Sequence, residues 1–193
     1  MLMNLNRKEN KMNLLMFGCP GVGKGTQAAL LSESLGIPHH STGDTLREAV
    51  AAGTEAGKIA EEYMDQSLFV PDEVLSDIVQ DVIHNSSGFI LDGYPRNRQQ
   101  VKYFFETMRA ESLQFSKIIH LVAPEDIVVA RMLSRGRNNE NTESIKKRIE
   151  IYKEETLPIL EMFHPEQLIT IESVGDANVI NENILSQLKQ SFS

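Results

Sequence analysis

Apolar and polar positions follow two alternating patterns along the chain. Short apolar runs that end at glycine or polar residues predict five strands, at residues 13–17, 37–41, 89–91, 117–122 and 168–171. Apolar residues also recur at helical spacing, as Ala28, Leu31 and Leu35 do before Gly36, where we expect the first helix to end. Strands that alternate with helices predict an α/β fold with three α/β/α layers around a parallel sheet of about five strands.

Two segments depart from this alternation. The first is residues 44–70, in which 44–65 predict short helices broken at Gly53 and Gly57; a further helix is expected to start at Pro71. Residues 135–143 form a polar turn inside a helical region. We expect both segments to be mobile inserts on a fixed core.

Composition and charge exclude several classes of function. The 193 residues suit one domain, and no apolar run reaches the roughly 20 residues that span a bilayer. The polar residues 1–12 are expected to form a tail. The net charge of −8 argues against a nucleic-acid partner, and no pattern suggests a membrane role or demands an interface, so we expect a monomer.

The chain has too few cysteines and histidines for an internal disulfide or a typical structural zinc site. The single cysteine, Cys19, excludes an internal disulfide and fits a reducing compartment, so we expect a cytoplasmic protein. One cysteine and five scattered histidines also make a structural zinc site unexpected.

A glycine-rich loop supplies the strongest chemical signal. Residues 18–24, GCPGVGK, match G-x-x-x-x-G-K between a predicted strand and a predicted helix. Glycines let backbone N–H groups converge on a phosphate, the helix adds its positive end, and Lys24 adds a charge between the β- and γ-phosphates. The alternative is a plain glycine-rich turn. The next residues are Gly25 and then the hydroxyl of Thr26.

The chain resembles the adenylate kinase family over about residues 13–175. The matching segments occur in the family's order: GCPGVGKGTQ (18–27), STGDTLR (41–47), LFVPDEV (68–74), GFILDGYPRN (88–97), RMLSRGR (131–137) and IKKR (145–148). The resemblance implies a P-loop fold and reversible, Mg²⁺-dependent phosphoryl transfer from ATP to AMP, giving two ADP. Residues 13–193 would be one kinase domain, with core 13–41, 72–133 and 144–193, a helical monophosphate-binding insert at 42–71 and a very short lid at 134–143.

The resemblance also assigns roles to individual residues. ATP would be bound by Cys19, Pro20, Gly21, Val22, Gly23, Lys24, Gly25, Thr26, Arg131 and Arg135. AMP would be bound by Thr42, Gly43, Arg47, Val70, Gly93, Arg96, Gln100, Arg137 and Arg148. The catalytic charges would be those of Lys24, Arg96, Arg135, Arg137 and Arg148.

Asp92 follows an apolar strand, so its carboxylate is expected at the carboxyl edge of the sheet, where ligands bind in open α/β sheets. By resemblance it would hold Mg²⁺ through water. The alternative for Asp92 is a turn or capping residue.

The identity of the acceptor depends on a few positions. Thr42 and Gln100 stand where the related uridylate-cytidylate kinases typically carry alanine and asparagine, which favours AMP. Asn97 favours the pyrimidine enzymes, and the neighbouring Gln99 leaves open which glutamine reads the base. The alternatives are therefore a UMP/CMP kinase and a non-catalytic nucleotide sensor.

Three features depart from the family pattern. Arg135 and Arg137 are closer together than is usual, and Asn139-Glu140 replaces an aspartate pair, so we hypothesise that a small lid excludes water poorly and permits slow ATP hydrolysis. Ser67 stands where glycine is usual. If that position requires a positive φ, serine costs roughly 1 kcal/mol.

Overall fold

The structure is a computed structural model that describes residues 12–85, 87–136 and 141–192. Within these ranges five strands form one parallel sheet in the order β2-β3-β1-β4-β5. The strands are β1 Asn13–Phe17, β2 His39–Ser41, β3 Phe89–Asp92, β4 Lys117–Val122 and β5 Leu168–Glu172. All five predicted strands are confirmed, with ends that differ by at most two residues.

Helices connect the strands and cover the sheet. They are α1 Lys24–Leu35, α2 Thr42–Ala51, α3 Glu55–Asp65, α4 Asp72–Asn85, α5 Arg98–Ala110, α6 Glu125–Arg135, α7 Thr142–Ile151 and α8 Ala177–Ser191. Helix α7 continues into a π-helical turn at Tyr152–Thr156 and a 3₁₀ helix at Leu157–Met162, and a short 3₁₀ turn at Pro165–Gln167 precedes β5. No helix in the described ranges is long and apolar enough to cross a membrane.

Two apolar cores lie on the two faces of the sheet. Side chains of a strand point alternately to opposite faces, so Leu14 and Met16 of β1 enter one core and Leu15 and Phe17 enter the other. The first core includes buried residues of α1 and α8, and the second includes buried residues of α4 and α5. A sheet covered on both faces confirms the predicted three-layer α/β fold.

The central position of β1 places the glycine-rich loop beside the end of β3. Strand β1 pairs with both β3 and β4, and its last residues align Met16 with Asp92. Every residue of β1 is buried, which explains the unbroken apolar run of its last four residues, 14–17. Residues 18–23 and Asp92 therefore meet at the same carboxyl edge of the sheet.

The predicted insert at residues 42–71 contains two helices and not three short ones. Helix α2 ends before Gly53, which has a φ of 64°, so the predicted break there is confirmed. The predicted break at Gly57 is wrong, because Gly57 lies inside α3. A Cβ atom on Gly57 would lie 2.1 Å from the carbonyl oxygen of Ala49, so the glycine permits close packing of α3 against α2.

The second predicted insert is described only in part. Helix α6 ends at Arg135, Gly136 follows with a φ of 65°, and Asn141 caps α7 by accepting a hydrogen bond from the N–H of Ser144. Arg137 and the pair Asn139-Glu140 lie outside the described residues, as does nearly all of the predicted tail. The boundaries between core, insert and lid stay predictions.

Candidate active site

A cleft of about 1080 Å³ lies at the carboxyl edge of the sheet, between the glycine-rich loop and helices α2 and α3. Most of the residues assigned to ATP, AMP or Mg²⁺ line it. They are Pro20, Gly21, Gly23, Lys24, Gly25, Thr26, Thr42, Gly43, Arg47, Val70, Asp92, Gly93, Arg96, Arg131, Arg135 and Arg148. Segments far apart in sequence thus supply one site.

The loop at residues 18–23 needs glycine for a steric reason. Gly18 has a φ of 138°, and a Cβ atom there would lie 2.4 Å from the carbonyl oxygen of Leu121. The loop can therefore leave β1 this close to β4 only because residue 18 has no side chain. It turns immediately into α1, whose first three residues line the cleft, so the positive end of the helix is available to an anion there.

Lys24 lies over the loop that precedes it. Its Nζ atom donates hydrogen bonds of 2.8 Å to the carbonyl oxygen of Gly18 and 3.1 Å to that of Cys19. Burial lowers the pKa of Lys24 most, the charge of Asp92 raises it, and the charges of Arg96 and Arg135 lower it further. The Lys24 ammonium group, which contacts two carbonyl oxygens and lies near other cations, can exchange its hydrogen bonds to those carbonyls for hydrogen bonds to phosphate oxygens.

Ser173 and Arg131 support the other side of the loop. The hydroxyl of Ser173 donates a 2.7 Å hydrogen bond to the carbonyl oxygen of Val22. Nη1 of Arg131 donates to the same oxygen at 3.1 Å and to the carbonyl oxygen of Ser173 at 2.9 Å. The Arg131 guanidinium is thus fixed on the cleft wall.

Cys19 and Val22 contribute to the loop but do not line the cleft. Burial raises the pKa of the Cys19 thiol to about 11, so this thiol stays protonated at neutral pH.

Arg96 stands at the centre of a group of cations. Its Nε donates a 2.6 Å hydrogen bond to the carbonyl oxygen of Gly93, and its Cζ lies 5.5 Å from the ring centre of Phe69. Burial lowers the pKa of Arg96 most, Asp92 raises it, and the charges of Arg148 and Arg47 lower it. Repulsion among these guanidinium groups would be relieved by a polyanion bound between them.

Asp92 is the acidic residue at the base of this group. It is buried at the end of β3, and its Oδ2 lies 3.9 Å from Nε2 of His39. A Cβ atom on Gly25 would lie 3.6 Å from the same Oδ2, so the carboxylate is next to the start of α1. The described residues hold no group of three or more His, Cys, Asp or Glu residues suited to a metal. One carboxylate beside a phosphate loop fits Mg²⁺ that is held mainly by nucleotide phosphates and water.

Thr42 and Gly93 bring the insert close to the sheet. Thr42 is buried, and its hydroxyl donates a 3.2 Å hydrogen bond to the carbonyl oxygen of Asp92. Gly93 has a φ of 88°, and a Cβ atom there would lie 2.7 Å from the Thr42 hydroxyl oxygen and 3.0 Å from Nη2 of Arg96. Glycine therefore allows Arg96 and Thr42 to approach each other. On α2, Arg47 forms an ion pair with Asp44.

Gln100 is not on the cleft wall. Its side chain is buried; Nε2 donates a 2.6 Å hydrogen bond to Oδ1 of Asp72, and Oε1 accepts one of 2.7 Å from the N–H of Arg96. Its predicted role in reading the base stays a prediction. Asn97 caps α5 by accepting a 2.8 Å hydrogen bond from the N–H of Gln100. That cap explains an asparagine at position 97 without reference to a pyrimidine acceptor.

Four further polar residues contribute to the site and were not predicted from the sequence. Asp72 holds Gln100, Ser173 supports the loop, Thr156 contacts Arg96, and Tyr152 lines the cleft. The position of Asp72 in the first turn of α4, after Pro71, was the one available signal, because an isolated serine, threonine or tyrosine carries none. Arg137 lies outside the described residues, so its predicted role is unplaced.

Comparison with known proteins agrees with this geometry. The sequence model of the family described as adenylate kinase matches residues 16–168. An adenylate kinase of Corynebacterium urealyticum is 42% identical over 180 residues, which cover 92% of this chain and 99% of that protein. Adenylate kinase 1 of a Nostoc species is 40% identical over 183 residues, covering 93% and 97% of the two chains. An adenylate kinase of Nocardia farcinica is 39% identical over 180 residues, covering 92% and 99%. The order of the motifs, the five-stranded parallel sheet and these similarities together establish that the chain belongs to the adenylate kinase family.

Proposed function

We propose that the protein transfers a phosphoryl group reversibly from ATP to AMP, giving two molecules of ADP. The observation that carries this proposal is the placement of Lys24, Arg96 and Asp92 in one cleft, where their charges act on one another. A site in which the charges of Lys24, Arg96 and Asp92 act on one another suits two polyphosphate chains that meet end to end.

The cleft divides into a donor end and an acceptor end. The glycine-rich loop, Lys24 and Arg131 would bind ATP, because they surround the start of α1. Arg47, Arg96 and Arg148 would bind the phosphate of AMP, because the charges of Arg47 and Arg148 both act on Arg96. Asp92 would lie between the donor end and the acceptor end, where β3 ends beside the glycine-rich loop.

Phosphoryl transfer to AMP requires positioned positive charges and does not require a general base. The acceptor is already an anionic phosphate oxygen, so no proton has to be removed from it. Lys24, Arg96, Arg135 and Arg148 would hold the two phosphate chains in line and offset the charge that spreads over the transferred group. The role of Arg137 in this group stays a prediction from resemblance.

Mg²⁺ is the expected cofactor. Asp92 would hold water molecules of the ion, which supplies charge neutralisation on the phosphates of ATP when it is bound. Thr26, the hydroxyl residue two positions after Lys24, also lines this end of the cleft.

The acceptor is tested with a panel of monophosphates. ADP or the corresponding diphosphate is measured from ATP, Mg²⁺ and each of AMP, CMP, UMP and GMP in turn. We expect AMP to give the highest kcat/KM. A higher value with CMP or UMP would identify a pyrimidine kinase, and the absence of product with every acceptor, despite ATP binding, would identify a nucleotide sensor.

A further inference from the structure

We propose that the hydroxyl of Ser67 forms a hydrogen bond with the nucleoside part of the acceptor monophosphate and so helps to select it. This inference rests on the proposed function. Ser67 lies between α3 and residues 68–70, on the wall of the cleft.

The backbone at Ser67 is strained. Its φ is 58°. Position 67, where glycine is usual in the family, therefore does have the positive φ under which serine is expected to be costly. This region of backbone space is unfavourable for a residue with a Cβ atom and is occupied most readily by glycine. Glycine would therefore fit this turn better, so strain alone does not explain why serine is present.

The Ser67 side chain also lacks a hydrogen-bond partner. Ser67 is 6% exposed, and its Oγ is buried with no partner among the described residues. A buried hydroxyl without a partner is unfavourable, and such groups in proteins usually have a reason. Rotation about the single Cα–Cβ bond can turn this hydroxyl toward the cleft that the residue lines.

The surroundings of Ser67 suit a nucleoside and not a phosphate. Leu68, Phe69 and Val70 follow it on the cleft wall and present mainly apolar surface. Glu61 and Asp65 of α3 line the same cleft and carry negative charge, which would repel a phosphate. A hydroxyl that can both donate and accept would pair with a sugar hydroxyl or a base edge.

The phosphate of the acceptor would bind near Ser67, at Arg96. Arg96 contacts the ring of Phe69, two residues from Ser67. A monophosphate whose phosphate lies against Arg96 would extend its sugar and base along residues 67–70. The hydroxyl of Ser67 is therefore within the part of the cleft that the nucleoside would occupy.

Three variants separate the hydroxyl from the backbone strain. Ser67→Ala removes the hydroxyl and keeps the strain, whereas Ser67→Gly removes both. Ser112→Gly is the matched control, because Ser112 also has a positive φ, of 54°, but is exposed and does not line the cleft. Each glycine variant should raise Tm by about 2–4 °C, since each relieves similar strain.

The test is the dissociation constant for AMP, measured calorimetrically without ATP, together with the kinetics of ADP formation. We expect Ser67→Ala and Ser67→Gly to weaken AMP binding by about threefold to tenfold, the loss of one neutral hydrogen bond. The KM for AMP should rise to match, while kcat and the KM for ATP stay within about twofold, because the contact is made equally in the ground and transition states.

Repeating the titrations with 2′-deoxy-AMP locates the contact. If the penalty of Ser67→Ala disappears with the deoxynucleotide, the partner is the ribose 2′-hydroxyl. If the penalty persists, the partner is the rest of the nucleoside. Both results support the proposal.

Other outcomes overturn it. Unchanged AMP affinity in Ser67→Ala would show that the hydroxyl makes no contact, even if Ser67→Gly binds more weakly through added flexibility. Failure of the unmodified protein to bind AMP would also overturn it. Formation of ADP by the unmodified protein decides the proposed function separately, so the two failures are distinguishable.

Discussion

The hydroxyl of Thr156 donates a hydrogen bond of 2.8 Å to the carbonyl oxygen of Arg96. Thr156 ends the π-helical turn Tyr152–Thr156, which directly follows the helix that carries Arg148. One hydrogen bond therefore joins the segment of Arg148 to the backbone of Arg96. Isolated π-helical turns occur often at functional sites, and this one fixes the segment that carries Arg148 relative to the backbone of Arg96.

Replacing Thr156 with valine tests this link. The variant keeps the β-branched shape but leaves the Arg96 carbonyl without its buried partner. We expect the free energy of unfolding to fall by about 1–2 kcal/mol and the KM for AMP to rise. Urea denaturation and ADP kinetics measure the two effects.

Thr107→Val is the matched control for that variant. The Thr107 hydroxyl donates a 2.9 Å hydrogen bond to the carbonyl of Tyr103 within α5, away from the cleft. We expect no change in the KM for AMP. An equal rise in KM for both variants would show that the Thr156 contact has no special role.

Lys24 is expected to matter for turnover and not for stability. Lys24→Met removes a charge that burial makes unfavourable, so the free energy of unfolding should not fall. Because that charge would act between the β- and γ-phosphates, kcat should fall by about 10²-fold or more. Lys102→Met, at an exposed position of α5, is the control and should retain activity. A Lys24→Met variant with near-normal kcat would contradict the assignment.

Gln100→Asn tests whether the buried amide of Gln100 supports acceptor binding. The shorter side chain cannot keep both the Asp72 contact and the Arg96 contact, so kcat/KM for AMP should fall by about tenfold. The neighbouring Gln99 is exposed, and Gln99→Asn should have no effect. A larger fall in kcat/KM for Gln99→Asn than for Gln100→Asn would contradict this assignment. Initial rates with AMP and CMP measure both variants.

The half-buried His40 and the buried His120 should make stability fall in mild acid. Burial lowers the pKa of His40 and of His120, with smaller effects of His39 and Lys24 respectively. The unfolded chain then binds more protons than the folded chain below about pH 6.5, so stability is lost as pH falls through that value. The urea midpoint should drop between pH 7.5 and 5.5, and His40→Gln should reduce that drop.

His84 provides a control of opposite sign. Its hydrogen bond to Glu111, and that residue's charge, raise the pKa of this exposed histidine. Its contribution to stability is present below pH 6.5 and is lost as pH rises through the raised pKa. His84→Gln should therefore make the loss of stability at pH 5.5 larger. The same direction of change for both variants would contradict the pKa assignments.

The sheet and most of the cleft could be predicted from the sequence because their signals are local. An apolar run before a glycine identifies a buried strand, and GCPGVGK at that junction identifies the phosphate loop. Parallel strands end at one edge, which brings Asp92 to the loop. The positions of Arg131 and Arg148 in the same cleft followed from resemblance and not from any periodicity.

The remaining features depend on contacts between distant segments. Gly57 reads as a helix breaker in the sequence, but its lack of a side chain serves the packing of α3 on α2. Asp72 and Gln100 are 28 positions apart, so their hydrogen bond has no sequence signal. Ser173 supports a loop 151 positions away for the same reason. Such tertiary hydrogen bonds become visible only once the chain is folded.

We propose that guanidinium groups placed in one cleft carry phosphoryl transfer to the acceptor. The initial rate of ADP formation from ATP and AMP by Arg96→Met, compared with that by Arg109→Met at an exposed position of α5, tests this role of the guanidinium groups. We expect Arg96→Met to lower kcat/KM for AMP by about 10²-fold or more, while Arg109→Met matches the unmodified protein. Equal rates for the two variants would show that the Arg96 guanidinium does not carry the transfer.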